Sequence, residues 1–108
     1  MKEASIVIVV RNDNEKFQKV MAQLVGDFEI IVIDTSDRPI YQIPPSGMVY
    51  LHGFRYVLDG FAKQLRVCPS MEKELALQYA TTTPVIFMTT DTVLKPGWLQ
   101  RFKTTGVL

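Results

Sequence analysis

Three short runs, Ser5–Val10, Phe28–Ile33 and Val85–Met88, are apolar at nearly every position and do not alternate with polar residues. A strand with one face in water alternates. A strand covered on both faces does not, and such strands belong to parallel sheets flanked by helices. Between the first two runs, Phe17, Val20, Met21 and Leu24 recur at i, i+3, i+4 and i+7, which predicts an amphipathic helix over residues 14–25 ending near Gly26. Asn12 with Glu15 three residues on has the form of a capping box at its start. Strand, helix and strand within about 30 residues make a βαβ unit, whose crossover is expected to be right-handed.

The remainder continues the alternation. Pro44-Pro45-Ser46-Gly47 signals a loop before a short strand at Met48–Leu51. Phe54, Leu58, Phe61 and Leu65 fit a second helix, weakened by Gly60. Pro69 and Ser70 open a third helical pattern with Met71, Leu75 and Tyr79 on one face, and it stops at Thr81-Thr82-Thr83-Pro84. After the third apolar run, Lys95-Pro96-Gly97 reads as a turn and Trp98–Phe102 as a short amphipathic segment anchored by its tryptophan. The chain of 108 residues therefore reads as one α/β domain over residues 1–108, and its 47% of hydrophobic residues suffices for a single core.

Charge and cysteine usage exclude several function classes. Twelve Lys and Arg against 11 Asp and Glu give a net charge of +1, with no basic stripe to neutralise a row of phosphates, so nucleic acid is not expected as a partner. Cys68 is the only cysteine and His52 the only histidine, which rules out an intrachain disulfide and argues against a Cys/His zinc site. Cys68 reads as a small buried hydrophobe in a reducing, cytoplasmic setting. No apolar stretch has the length of a signal peptide core or a transmembrane segment. Neither G-x-G-x-x-G nor the Walker-type G-x-x-x-x-G-K-[ST] occurs, and no G-x-S-x-G elbow is present.

Two polar clusters, Asp34–Asp37 and Thr89–Thr92, directly follow predicted strands. If both strands run parallel to the first and close to it, the clusters share the carboxyl rim where open α/β sheets bind ligands. The turn Val9-Val10-Arg11-Asn12 is the third contributor. Carboxylates gathered there can hold a hard dication such as Mg²⁺ or Mn²⁺, which in turn neutralises a diphosphate. Asp, Thr and Ser also populate such turns merely because they cap helices, and spacing alone leaves both readings open.

The same three segments, in the same order, resemble the motifs of family 2 glycosyltransferases. Ser5-Ile6-Val7-Ile8-Val9-Val10-Arg11-Asn12-Asp13-Asn14 is similar to the family's S-I-I-I-P-T-Y-N-E-E, and Phe28–Asp37 is similar to F-E-I-I-V-V-D-D-G-S-T-D. Val85–Leu99, read through Pro96-Gly97-Trp98-Leu99, resembles Y-I-L-F-L-D-A-D-D-x-L-x-P-G-W-L and is the most specific of the three. Residues 38–68 match only loosely.

The resemblance implies a Rossmann-like GT-A fold, a nucleotide-diphospho-sugar donor, a divalent metal held by a D-x-D element, and transfer to a sugar, lipid or protein acceptor. Carried over by position, Val9 and Arg11 line the base and ribose, Asp34 holds the nucleoside, and Thr35 and Thr90 stand beside them on the donor. Asp91 is the retained metal-binding carboxylate, with Thr89 where the other Asp of D-x-D is usual. Thr35 likewise replaces the second Asp of the D-D pair, and Val9 replaces a proline. One carboxylate in place of two implies a weakened metal site, because a hard dication draws much of its binding from ligand charge. Trp98 stands where the family packs a tryptophan near the acceptor entrance. In the family the catalytic base comes from the half that follows D-x-D. Only 17 residues follow Asp91 here, so no residue is assigned as base and the chain is expected to be the donor half of such an enzyme. The alternatives are a non-catalytic remnant that binds nucleotide and, further off, a flavodoxin-like regulatory domain, which leaves Pro96–Leu99 unexplained.

Overall fold

The computed structural model describes residues 2–52, 76–106 and 108. In chain order these form β1 (Ala4–Val10), α1 (Asn14–Gln23), β2 (Phe28–Asp34), β3 (Val49–His52), β4 (Val85–Met88) and α2 (Trp98–Thr105). The strands make one sheet in the order β3-β2-β1-β4, and every pairing is parallel. The α/β class and the parallel sheet expected from the apolar runs are thus present. Cys68, the helix expected from Phe54 and the first residues of the third helical pattern lie outside the described residues.

Unbroken apolar runs mean that both faces of the sheet are covered. Ile6, Ile8 and Val10 of β1, Phe28 and Val32 of β2, and Ile86 and Met88 of β4 pack with Phe17 and Val20 of α1, and with Trp98, Leu99 and Phe102 of α2. The intervening residues Val7, Ile31 and Ile33 form a second cluster with Ala76 on the other face. Residues 76–79 are helical there, but Tyr79, expected on the inward face, is exposed. Ala76 and Ala80 make that contact instead, small side chains letting the backbone lie close to the sheet.

Local chemistry sets the helix ends. Asp13, not Asn12, caps α1: its carboxylate accepts the Lys16 backbone N–H at 3.2 Å. Asn12 stands one residue earlier in a left-handed conformation (φ 56°), with its side chain turned to the next loop. The helix ends at Gln23, two residues before the expected limit, because the chain must turn through Gly26 at φ 144°. A Cβ there would come within 2.7 Å of Glu3 Oε2 and 2.9 Å of the Phe28 ring, so only glycine fits. α2 runs beyond the expected 98–102 and stops at left-handed Gly106, whose N–H reaches Phe102 O at 2.7 Å.

At the amino edge of the sheet, Ser5 Oγ donates to Glu29 Oε1 at 2.9 Å and also lies 2.7 Å from Thr82 O. Thr81 donates to the same Glu29 carboxylate through its backbone N–H and its hydroxyl. Burial alone would raise the Glu29 pKa, but these hydrogen bonds outweigh it and hold the carboxyl below its usual range. The network ties the segment entering β4 to β2, and it leaves the carboxyl edge to the polar loops. Among the described residues no helix is long and apolar enough to cross a membrane.

Candidate functional site

The carboxyl ends of the strands line up in register. Val10 pairs with Asp34, Asp34 with His52, and Met88 with Ile8. The chain leaves β1 outward through β2 to β3, then returns to the far side of β1 for β4. Strand order therefore reverses between β1 and β4, the place where open α/β sheets form a crevice. Both polar clusters flank the β1–α1 turn, as a shared rim requires.

The loop after β2 is built on Asp34, which is fully buried. Oδ1 of Asp34 accepts the Ser36 N–H at 2.9 Å, and Oδ2 accepts the Ile40 N–H at 2.8 Å and the Tyr50 hydroxyl. The same Tyr50 oxygen accepts from the Ile40 and Tyr41 N–H groups at 2.9 and 3.3 Å. Tyr41 packs edge-on against both Phe17 and Tyr50, at ring separations of 5.9 and 5.4 Å. Burial opposes ionisation of Asp34, yet the hydrogen bonds from Ser36, Tyr50 and Ile40 prevail and lower its pKa below the ordinary value. Tyr50, desolvated and donating to that carboxylate, is pushed up to about 12.

Asp34 therefore spends both oxygens inside the protein, shaping the loop that faces the rim. Thr35 is also internal: its N–H and hydroxyl both reach Val10 O, at 2.9 and 3.1 Å. Val9 packs against the cluster of Val7 and Ile33, on the sheet face opposite Val10. Arg11 is exposed on the turn that follows β1.

The next layer joins the two loops of the rim. Asn12 N–H donates to Ser36 Oγ at 2.7 Å, Asn12 Nδ2 donates to Asp37 Oδ2 at 3.2 Å, and Asp37 N–H returns to Asn12 Oδ1 at 2.9 Å. This reciprocal clasp joins the β1–α1 turn to the β2–β3 loop. His52 at the end of β3 adds a ring nitrogen 3.1 Å from Ser36 O. Between the two loops is a cleft of about 410 Å³ lined by Asn12, Asp13, Asn14, Ser36, Asp37, Arg38, Pro39 and Ile40. Its walls offer amide, hydroxyl, carboxylate and guanidinium groups, a set suited to a polar ligand.

The turn after β4 differs. Thr89 Oγ1 accepts the Asp91 N–H at 3.3 Å and the Thr92 hydroxyl accepts the Thr89 N–H at 3.1 Å, so the turn closes on itself. Thr90 lies beside it, half-buried. Asp91 is exposed, and its Oδ1 accepts from Lys16 Nζ at 2.9 Å. That hydrogen bond, with the charges of Asp91 and Asp13, raises the Lys16 pKa. Lys16, Lys19, Val20 and Gln23 of α1 face Thr90, Asp91, Thr92 and Val93 across a second cleft of about 430 Å³. Gln23 pins its far end, donating to Thr92 O at 3.1 Å and accepting the Leu94 N–H at 2.7 Å.

A divalent metal at Asp91 and Thr89 fits this arrangement poorly. The turn supplies one carboxylate, its oxygen is already bonded to an ammonium, and the Thr89 hydroxyl serves the turn. Among the described residues no three His, Cys, Asp or Glu side chains gather at metal-binding distance. A dication on Asp91 would face Lys16 across the same carboxylate, where like charges repel.

Trp98 sits at the other end of the sheet. Its ring is 5.7 Å from that of Phe28, the first residue of β2, and there it anchors α2 away from the polar rim. Sequence reasoning missed Lys16 and Tyr50. A lysine on the outer face of a helix carries no motif, and a tyrosine in a short apolar strand reads as core. Compared with family models, with curated proteins and with solved structures, the chain matches none at a significant level.

Proposed function

We propose that this chain is a nucleotide-diphospho-sugar-binding domain of the GT-A kind, the donor-binding part of a family 2-like glycosyltransferase. The observation that carries the reading is the meeting of three polar loops, from β1, β2 and β4, on one rim of a parallel sheet at its point of strand reversal. The nucleoside occupies the cleft between the β1–α1 turn and the β2–β3 loop. There Arg38 presents an exposed cation beside the Asn12–Asp37 clasp. Asp34 acts on this site by position, holding the loop that carries Ser36 and Arg38. The diphosphate extends along the first turn of α1, which borders both clefts, Asp13 and Asn14 lining the first and Lys16 the second.

Thermal melts with UDP, GDP, ADP and dTDP, each with and without Mn²⁺, test the reading. A ligand at a hundred times its Kd adds about 2.7 kcal/mol of stability, a shift of several degrees for a domain of this size. Arg38→Ala is expected to reduce the shift. No shift with any nucleoside diphosphate at millimolar concentration overturns the proposal.

A second reading, a module that binds nucleotide without transferring sugar, is favoured by one observation: the Asp91 carboxylate is held by Lys16 in place of a second acidic partner. Radiolabelled sugar release from a donor that binds separates the two. Binding with no turnover favours the module, and turnover favours the transferase.

A further inference from the structure

Lys16 is an exposed cation of the rim that none of the sequence motifs includes. It projects from the first turn of α1, more than half of its side chain is solvent-exposed, and its ammonium lies 2.9 Å from Asp91 and 3.8 Å from Asp13. Lys19 lines the same cleft one turn along, its ammonium 3.6 Å from the exposed Glu15 carboxylate. An ammonium has three donors and no acceptor. Asp91 takes one in a direct hydrogen bond and Asp13 stands at longer range, which leaves donor capacity toward the cleft.

We propose that the positive charge countering a diphosphate on this rim is the Lys16 ammonium, with Lys19 beside it, and that binding is independent of divalent metal. This rests on the nucleotide-binding reading above. A dication needs gathered carboxylates, and the turn after β4 supplies only Asp91. A phosphate needs an opposing cation and hydrogen-bond donors, and the groove between α1 and that turn supplies two lysines and the Thr90 segment. Asp91 then has a role opposite to that of a metal ligand. It orients Lys16 in the free protein, and its own negative charge opposes the incoming phosphate.

The sign of the Asp91 effect therefore separates the two chemistries. Calorimetric titration with UDP at neutral pH, in EDTA and in Mn²⁺, is expected to give the same affinity in both buffers. Lys16→Met is expected to weaken binding about tenfold, the size of one charge-assisted contact. Asp91→Asn is expected to tighten it about threefold, by removal of the competing charge. Lys16→Arg keeps the charge and retains most of the affinity. Both side chains are exposed, and unchanged circular dichroism and Tm establish that each variant is folded. Binding that requires Mn²⁺ and collapses in Asp91→Asn overturns the proposal while leaving the nucleotide reading intact. So does metal-free binding indifferent to Lys16→Met. No binding of any nucleoside diphosphate by the unaltered chain overturns both.

Discussion

The loops that follow β2 and β4 begin from the same kinds of residue and reach opposite states. Asp34-Thr35-Ser36-Asp37 starts with three residues that are 0, 5 and 3% exposed, whereas Thr89 and Asp91 of Thr89-Thr90-Asp91-Thr92 are open to solvent. The difference comes from the neighbours of each strand. β2 lies between β1 and β3, so its end is flanked by the Asn12 turn on one side and by Tyr50 and His52 on the other. A carboxylate buried there must be satisfied by the protein, and Asp34 receives three donors. β4 stands at one edge of the described sheet, and its turn bonds to itself and to a solvated lysine. Similar composition thus yields a scaffold at one strand end and an adjustable charge at the other.

The largest expected effect is at Asp34. Replacing it with alanine strands the Ser36 N–H, leaves the Ile40 N–H only the Tyr50 oxygen, and deprives the half-buried Tyr50 hydroxyl of its acceptor, and is expected to cost about 2–4 kcal/mol in denaturant midpoint experiments. Asp91→Ala, the matching change at the other strand end, is expected to leave the midpoint where it is. Equal losses at the two positions would break the contrast.

Removing one hydroxyl from the same loop is a milder probe. Tyr50→Phe is expected to cost about 1–2 kcal/mol, because Asp34 loses a donor and two N–H groups lose an acceptor. Titration sharpens this. Tyr50 has a folded pKa of about 12, raised above its ordinary value near 10, so its contribution is complete below about pH 10 and lost as pH rises towards 12. Tyr50→Phe is expected to flatten that alkaline limb. Asp34 behaves in the opposite sense. Its folded pKa lies below the ordinary value, so its contribution is present above about pH 4 and lost as pH falls through the folded value. Asp34→Asn removes that acid limb, which stability curves between pH 2 and 5 will detect.

At the junction of the two loops, Asn12→Ala is expected to cost about 1 kcal/mol or slightly more, through loss of the Asp37 clasp and the strain of a positive φ. Asn12→Gly loses the clasp without the strain, so it is expected to be the less damaging of the two. The smallest expected change in stability belongs to Thr89→Asp. It adds a second carboxylate to the exposed turn, leaves Tm unchanged, and yields measurable Mn²⁺ binding only when combined with Lys16→Ala. Manganese binding measured by electron paramagnetic resonance checks this, and strong binding by Thr89→Asp alone would show that Lys16 does not exclude the metal.

Much of the sheet was legible because burial on both faces leaves a direct trace in residue type. The runs at 5–10, 28–33 and 85–88 lie within one residue of the observed strand limits. Helix ends were less legible: Asn12 and Asp13 are both good caps, and their roles are decided by Asp37, which is 24 positions beyond Asp13 and reaches Asn12 across the rim. The apolar face of the third helical pattern was misread at Tyr79, since a large aromatic signals burial more loudly than the alanines that touch the sheet.

The sequence by itself determined that strands are buried on both faces, that a helix separates the first two, and that polar segments follow two of them. Those properties depend on neighbours within a few positions and on whether a residue tolerates water. Only the tertiary structure decided which carboxylate is internal and which is solvent-exposed, because Asp34 and Asp91 are chemically alike in the chain. Strand order separates them. A central strand surrounds its terminal carboxylate with donors from Ser36, Ile40 and Tyr50, and an edge strand leaves its carboxylate to meet Lys16 from 75 residues away.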